Sequence, residues 1–177
     1  MIKRFFNKLL IGFCVLLFVF ALCDYAYPYE TRQFINYVSG KVESISSNGV
    51  VQLYEMNDNG LYTLQTKVNG VDMEFILDTG CSDMLMSRVE FQYLKKIGAL
   101  SERDYIGETS STDADGDVSV CRMYNIKRLE LGGYVIKDVQ CGVSDSEDAY
   151  MLLGQSILSN FTTVTIDYST NTLKLEK

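Results

Sequence analysis

The stretch Met73-Glu74-Phe75-Ile76-Leu77-Asp78-Thr79-Gly80-Cys81-Ser82-Asp83-Met84-Leu85-Met86-Ser87 decides how this chain is read. Val71, Met73 and Phe75 alternate with Asp72 and Glu74, the period of a strand with one face in a core. An apolar strand therefore runs into an Asp-Thr-Gly turn, and Met84-Leu85-Met86 starts another strand on the far side. An aspartate placed this way is held by a rigid element on each flank. That is what an acid or base needs if it is to act at a fixed point.

Working outward, Asn69-Gly70 is a strong hairpin signal, joining an expected strand at Leu61–Val68 to one at Val71–Leu77. Downstream, Ser87 and Glu90 have capping-box spacing for a helix running to about Ile97, with Gly98 as its stop. A second hairpin is expected to turn at Gly132-Gly133, between Ile126–Leu131 and Tyr134–Val143. The last pair is Thr162–Asp167 with Thr172–Glu176. Hairpin-linked strands with minor helices predict an all-β domain over residues 50–177.

The remaining residues divide in two. Lys3, Arg4 and Lys8 precede an uninterrupted apolar run, Leu9–Cys23. At ~1.5 Å per residue the run is short of a ~30 Å hydrocarbon core, and Phe5, Phe6 and a snorkelling Lys8 bring it close. Tyr25, Tyr27 and Tyr29 follow as an interfacial belt would. Residues 1–23 thus read as an uncleaved membrane anchor in preference to a cleaved signal peptide. The positive flank keeps the N-terminus cytoplasmic and exports the rest. If the segment is cleaved, the protein is secreted. In the linker, residues 24–49, Phe34, Val38, Val42 and Ile45 recur at helical spacing, so 30–47 is expected to be a short amphipathic helix.

Composition removes competing chemistries. The 177 residues contain no histidine, which excludes Ser-His-Asp and Cys-His nucleophiles and any imidazole-bound zinc within the chain. A net charge of −7, with 23 acidic against 16 basic residues, argues against a nucleic-acid partner. No cofactor or metal is called for. Three Asp residues at 113, 115 and 117 lack the distal bidentate Glu of a calcium loop. Carboxylate chemistry is what remains.

The segment Met73–Ser87 resembles the active-site segment of the retropepsin-like, or retroviral-type, aspartic proteases. Some 70 residues later, Tyr150-Met151-Leu152-Leu153-Gly154-Gln155-Ser156-Ile157-Leu158 is similar to that family's second signature: two large apolar residues, a Gly and a short helix. The resemblance covers roughly Leu61–Lys177 and extends to membrane-anchored, single-lobe bacterial members. It implies a single-lobe acid-protease β-barrel and an aspartic endopeptidase acting on peptide or protein substrates. Asp78, Thr79 and Gly80 would form the catalytic turn, with Thr79 hydrogen-bonding across a dimer axis and Gly80 bringing its N–H to the carboxylate. Leu152, Leu153 and Gly154 would cross behind that turn and support it. The polar stretch Glu108–Val120, turning at Asp115-Gly116, is placed like the family's flap, so Asp113, Ala114, Asp115 and Gly116 are expected to cover substrate.

Hydrolysing an amide without a nucleophilic side chain takes an activated water, one carboxylate to accept its proton and one acid to polarise the carbonyl. Two carboxylates sharing a site cannot both ionise cheaply, so one pair supplies both roles, as in the aspartic proteases that illustrate the rule. This chain has one Asp-Thr-Gly, so the second carboxylate is expected from Asp78 of another copy in a homodimer. The alternative is a non-catalytic peptide-binding or dimerisation module on the same fold. An aspartyl phosphotransferase fails on context, because such sites lie on parallel α/β sheets. Cys81 stands where the family usually has Ala or Ser. In an oxidising compartment Cys121 and Cys141 are candidates for a disulfide, leaving Cys81 free.

Overall fold

A computed structural model of the chain describes residues 48–56, 60–112 and 118–177. The expected anchor at 1–23, the expected helix at 30–47 and the hairpin tip at 113–116 lie outside the described residues. Among the described residues no helix is long and apolar enough to cross a membrane.

The chain order is β1 (Val50–Gln52), β2 (Tyr54–Met56), β3 (Leu61–Val68), β4 (Val71–Leu77), β5 (Met84–Met86), α1 (Arg88–Lys96), a 3-10 turn (Glu102–Asp104), β6 (Tyr105–Thr112), β7 (Val118–Leu131), β8 (Tyr134–Val143), β9 (Leu152–Leu153), α2 (Gln155–Leu158), β10 (Thr163–Asp167) and β11 (Thr172–Glu176). The architecture is mostly strand, as expected. The β3–β4 hairpin turns where the sequence indicates, with Asn69 and Gly70 at φ 49° and 88°. Positive φ at both central residues matches the right-handed twist of the strands they join, which is why Asn-Gly is favoured there.

Two sheets form. One has the order β1-β11-β10; the other runs β2-β3-β4-β9-β5-β8-β7-β6, and β3 also pairs with β7. That last pairing, Lys67↔Glu130 and Val68↔Leu129, closes β3, β4, β9, β5, β8 and β7 into a six-stranded barrel. Asn69 adds to the closure beyond its role in the turn. Its N–H donates to Arg128 O at 2.8 Å, its Oδ1 accepts from Arg128 N at 3.0 Å, and its Nδ2 donates to Ala99 O at 2.8 Å.

The core fills the barrel. Phe75, Leu64, Met84, Met86, Tyr124, Ile126, Leu129 and Leu153 are fully buried. β4 has neighbours on both edges and buries adjacent residues, Phe75 and Ile76, as it nears Asp78. That loss of alternation marks a strand covered on both faces. Ser87 caps α1, its Oγ accepting from Glu90 N at 3.5 Å, whereas Ser87 N–H is directed at Met151 Sδ at 3.3 Å. The helix start is thereby tied to the segment leading into β9, an arrangement the capping-box reading did not contain.

Candidate active site

Asp78 sits at the exit of β4, and the strand beside it determines its place. Ile76 and Leu77 pair in parallel with Leu152 and Leu153. Ile76 N donates to Met151 O at 2.7 Å and Asp78 N to Leu153 O at 3.1 Å, so the backbone is held up to the aspartate itself. Beyond it the chain turns, with Cys81 N donating to Asp78 O at 3.3 Å. Gly80 N donates to Asp78 Oδ1 at 2.9 Å, which orients the carboxylate. A Cβ on Gly80 would lie 3.3 Å from that same oxygen, tight enough to disturb the bond. Asp78 is half-buried, while Thr79 and Gly80 are exposed.

Behind the turn lie the residues expected to support it. Leu153 is fully buried and Leu152 half-buried. Gly154 packs so closely that a Cβ there would fall 2.5 Å from Cys81 O and closer still to Asp83 O. Only glycine lets the two backbones approach this far. The first turn of α2 then supplies donors to the loop: Gln155 N to Cys81 O at 2.9 Å, Ser156 N to Ser82 O at 2.8 Å, and Gln155 Nε2 to Thr79 O at 2.8 Å. N–H groups at a helix start have no partner within the helix, and here the Asp78 loop takes them. Gln155 was not singled out from the sequence; its position directly after Gly154 is the signal that could have found it.

A cavity of about 580 Å³ is lined by Asp83, Gly107, Glu108, Thr109, Asn125 and Gln140 among others, and Asp78, Thr79 and Gly80 are not part of its lining. Asp83 belongs to the Asp78 loop, and Glu108 and Thr109 belong to β6. The expected flap hairpin is formed by β6 and β7, with Thr112↔Val118 as its last pair, and its first strand walls the cavity. Its base is fastened to the body through Glu102, which accepts from Lys95 Nζ at 2.5 Å, Arg122 Nη2 at 3.0 Å and Tyr124 Oη at 3.2 Å. These partners hold the Glu102 carboxyl below the usual carboxylate range, the Lys95 hydrogen bond first. Sequence reading missed this cluster, because its members come from three elements.

The cysteines require a correction. Cys81, Cys121 and Cys141 are free thiols. On the β7–β8 ladder Tyr124 faces Cys141 and Met123 faces Gly142. Cys121 shares the Met123 face, so it lies on the opposite side of the sheet from Cys141 and out of step along it. A disulfide between them would require a different register. Burial pushes both thiols up. Cys81, with Sγ 3.3 Å from Asp83 O, is also pushed up by partial burial, to which the charges of Asp78 and Asp83 add. Both effects disfavour the thiolate, the form in which a cysteine is nucleophilic.

A closed barrel with an Asp-Thr-Gly turn braced by an inserted Leu-Leu-Gly strand defines a retropepsin-like fold. A solved structure with that fold, the retropepsin-like aspartic protease from Rickettsia conorii, superposes with a TM-score of 0.50 at 21% identity, covering 76% of this chain and 95% of that one. Residues 64–160 match the family described as "gag-polyprotein putative aspartyl protease", and the chain belongs to that family. No curated protein matches it in sequence.

Proposed function

We propose that this chain is an aspartic endopeptidase that works as a homodimer, each copy contributing Asp78. The observation carrying the proposal is the bracing of that residue: its N–H is bound to Leu153 O, its Oδ1 is bound by Gly80 N, and its loop is held by Gln155. A surface turn aspartate has no need of such support; a group that must meet a water and a carbonyl within tenths of an ångström does. In the proposed reaction the ionised carboxylate of the pair takes a proton from water as the oxygen attacks the peptide carbonyl. The protonated partner gives its proton to the carbonyl oxygen. As the tetrahedral diol collapses and the C–N bond breaks, the proton first taken from water passes to the leaving nitrogen and one diol hydroxyl returns its proton to the second carboxylate, which restores the pair. Thr79 would bond across the dimer axis, and the β6–β7 hairpin, with Asp113–Gly116 at its tip, would cover the substrate.

The exported, membrane-tethered placement belongs to the same proposal, supported by the basic flank and apolar run of residues 3–23. The test is peptide-library cleavage by the protein and by Asp78→Asn. Loss of cleavage in a mutant with unchanged fold is expected; undiminished turnover would remove Asp78 from the mechanism.

A further inference from the structure

The 580 Å³ cavity walled by β6 does not end at β8. It shares Asp83, Asp138 and Gln140 with a smaller cavity of about 220 Å³, which runs on to Ser156 in α2 and to Asn160. The two make one trough from the β6–β7 hairpin to the helix behind the Asp-Thr-Gly turn. Asp83, Glu108 and Asp138 line the larger part, and no lysine or arginine does; Lys137 lines only the smaller part. Among the described residues none of the three carboxylates forms an ion pair. Two of them are positioned by neutral donors, each at one oxygen. Ser82 Oγ donates to Asp83 Oδ2 at 2.8 Å and Asn125 Nδ2 to Asp138 Oδ1 at 3.2 Å, leaving a second oxygen on each to accept.

Two further features belong to the same trough. Asp138 has φ 55° in the middle of β8, a left-handed state uncommon for a residue with a side chain and one that gathers at functional sites. In the smaller part, Ser156 Oγ is buried without a hydrogen-bond partner, although Ser156 N–H is taken by Ser82 O. An unsatisfied buried hydroxyl lowers stability unless a bound group supplies its bond. The larger part also has apolar wall, from exposed Ile106 and buried Met123. What suits all of this is a long aliphatic stem ending in a cation with many N–H donors and no acceptor. We propose that the trough receives an arginine side chain of the substrate, its stem along Ile106 and Met123, its guanidinium between Asp83 and Asp138, and a remaining N–H directed to Ser156 Oγ.

Arginine is the better fit of the two cations. Its planar fork of five N–H groups meets two carboxylates and a hydroxyl at once, whereas the lysine ammonium offers the same charge at a point. The place of the arginine along the substrate is bounded by the chain. Asp83 lies five residues after Asp78, and five extended residues span at most about 17 Å. An extended peptide advances at the same rate, so the arginine stands within about five residues of the bond that is cut. The net charge of −7 works in the same direction, drawing cationic chains toward the protein. The inference rests on the endopeptidase reading above and deepens it by naming the substrate class: polypeptides with arginine at a fixed distance from the scissile bond.

The test is digestion of a proteome-derived peptide library by the full-length protein in detergent, with cut sites read by mass spectrometry. Arginine is expected to be enriched at one position within five residues of the cut. In a synthetic peptide, norleucine at that position should lower kcat/KM about tenfold or more, the worth of one charge-assisted hydrogen bond. Asp138→Asn, which keeps the size of the side chain and tolerates the same φ, should erase most of the arginine-to-norleucine ratio. Glu55→Gln, on β2 and outside both cavities, should leave the ratio as it is. Absence of an arginine preference, or a preference untouched by Asp138→Asn, overturns the proposal. A protein that cuts nothing removes the endopeptidase reading, and the trough is then decided by binding alone. Nα-acetyl-arginine methylamide titrated into Asp78→Asn should shift the amide resonances of Asn125 and Gln140 in an NMR spectrum, and the norleucine analogue should not. Equal shifts with both compounds, or none with either, overturn the proposal.

Discussion

Replacing Gly154 with alanine adds one methyl group at the point where β9 meets the Asp78 loop. The new Cβ would stand 2.5 Å from Cys81 O and closer still to Asp83 O, whereas ordinary contacts begin at 3.4 Å. More than about 0.9 Å of relief is needed, and neither neighbour is a side chain that can swing away. The loop or β9 must move. Movement of β9 strains the Leu153 O bond to Asp78 N; movement of the loop strains the bonds from Gln155 N and Ser156 N. Overpacking of this kind costs about 1–3 kcal/mol of stability, and a catalytic group displaced by ~1 Å loses on the order of a hundredfold in rate. Gly154→Ala is therefore expected to unfold at lower denaturant with an unchanged m-value and to lose about two orders of magnitude in kcat/KM on a cleavable peptide. Gly60→Ala meets nothing within 4 Å but sits at φ 75°, so it carries backbone strain without a clash and is the comparison for activity only. Wild-type stability and kcat/KM in Gly154→Ala would refute the claim that this close approach holds the site.

Asp78→Asn should abolish peptide cleavage while leaving the denaturation curve nearly intact, since the carboxylate is half-buried with one hydrogen bond from Gly80. Gln155→Ala removes the donor to Thr79 O and should lower kcat more than it raises KM, by roughly fivefold if one hydrogen bond of about 1 kcal/mol is realised at the transition state. Mixing wild type with Asp78→Asn under demonstrated subunit exchange should depress activity below the wild-type share; strict proportionality would mean that each chain works alone. Asp104 is held below its ordinary value, first by the Lys127 hydrogen bond and then by Ser101. A carboxylate depressed in the folded state adds stability above its unfolded pKa of about 3.9 and loses it as pH falls through the folded value. The stability gap between wild type and Asp104→Asn should accordingly narrow below about pH 4; a gap independent of pH would contradict this role.

The parts of the fold that could be read from sequence are those specified locally. Asn69-Gly70 places the β3–β4 turn because both residues tolerate positive φ, and the strands on either side end where the alternation ends. Gly132-Gly133 does the same for β7–β8, although β7 extends back to Val118, well before the Ile126 start read from the pattern. The Asp-Thr-Gly turn and its place between two strands were legible because Asp, Thr and Gly are adjacent and flanked by apolar segments. What could not be read depends on register between distant segments. Whether Cys121 meets Cys141 is decided by a β7–β8 pairing that places them on opposite faces. The Glu102 cluster needs Lys95, Arg122 and Tyr124 brought together from α1 and β7.

The same distinction bears on how the site is made. Asp78, Thr79 and Gly80 are contiguous, and the bonds from Gly80 N and Cys81 N to Asp78 shape the turn locally, yet nothing contiguous fixes that turn in place. The rigidity comes from β9, two residues long, whose Leu152 pairs with both Ile76 and Leu85. A two-residue strand has little stability of its own. It is held because its neighbours β4 and β5 are anchored elsewhere in the barrel, β4 by the Asn69-Gly70 hairpin and β5 by β8. The barrel in turn closes through Val68↔Leu129. A loop supported in this way acquires its geometry only when the whole barrel has formed, so an incompletely folded chain would carry the Asp-Thr-Gly turn without the bonds that aim it. In the endopeptidase proposed above, that coupling would tie cutting to complete folding, and the proposed second Asp78 would add assembly as a further condition.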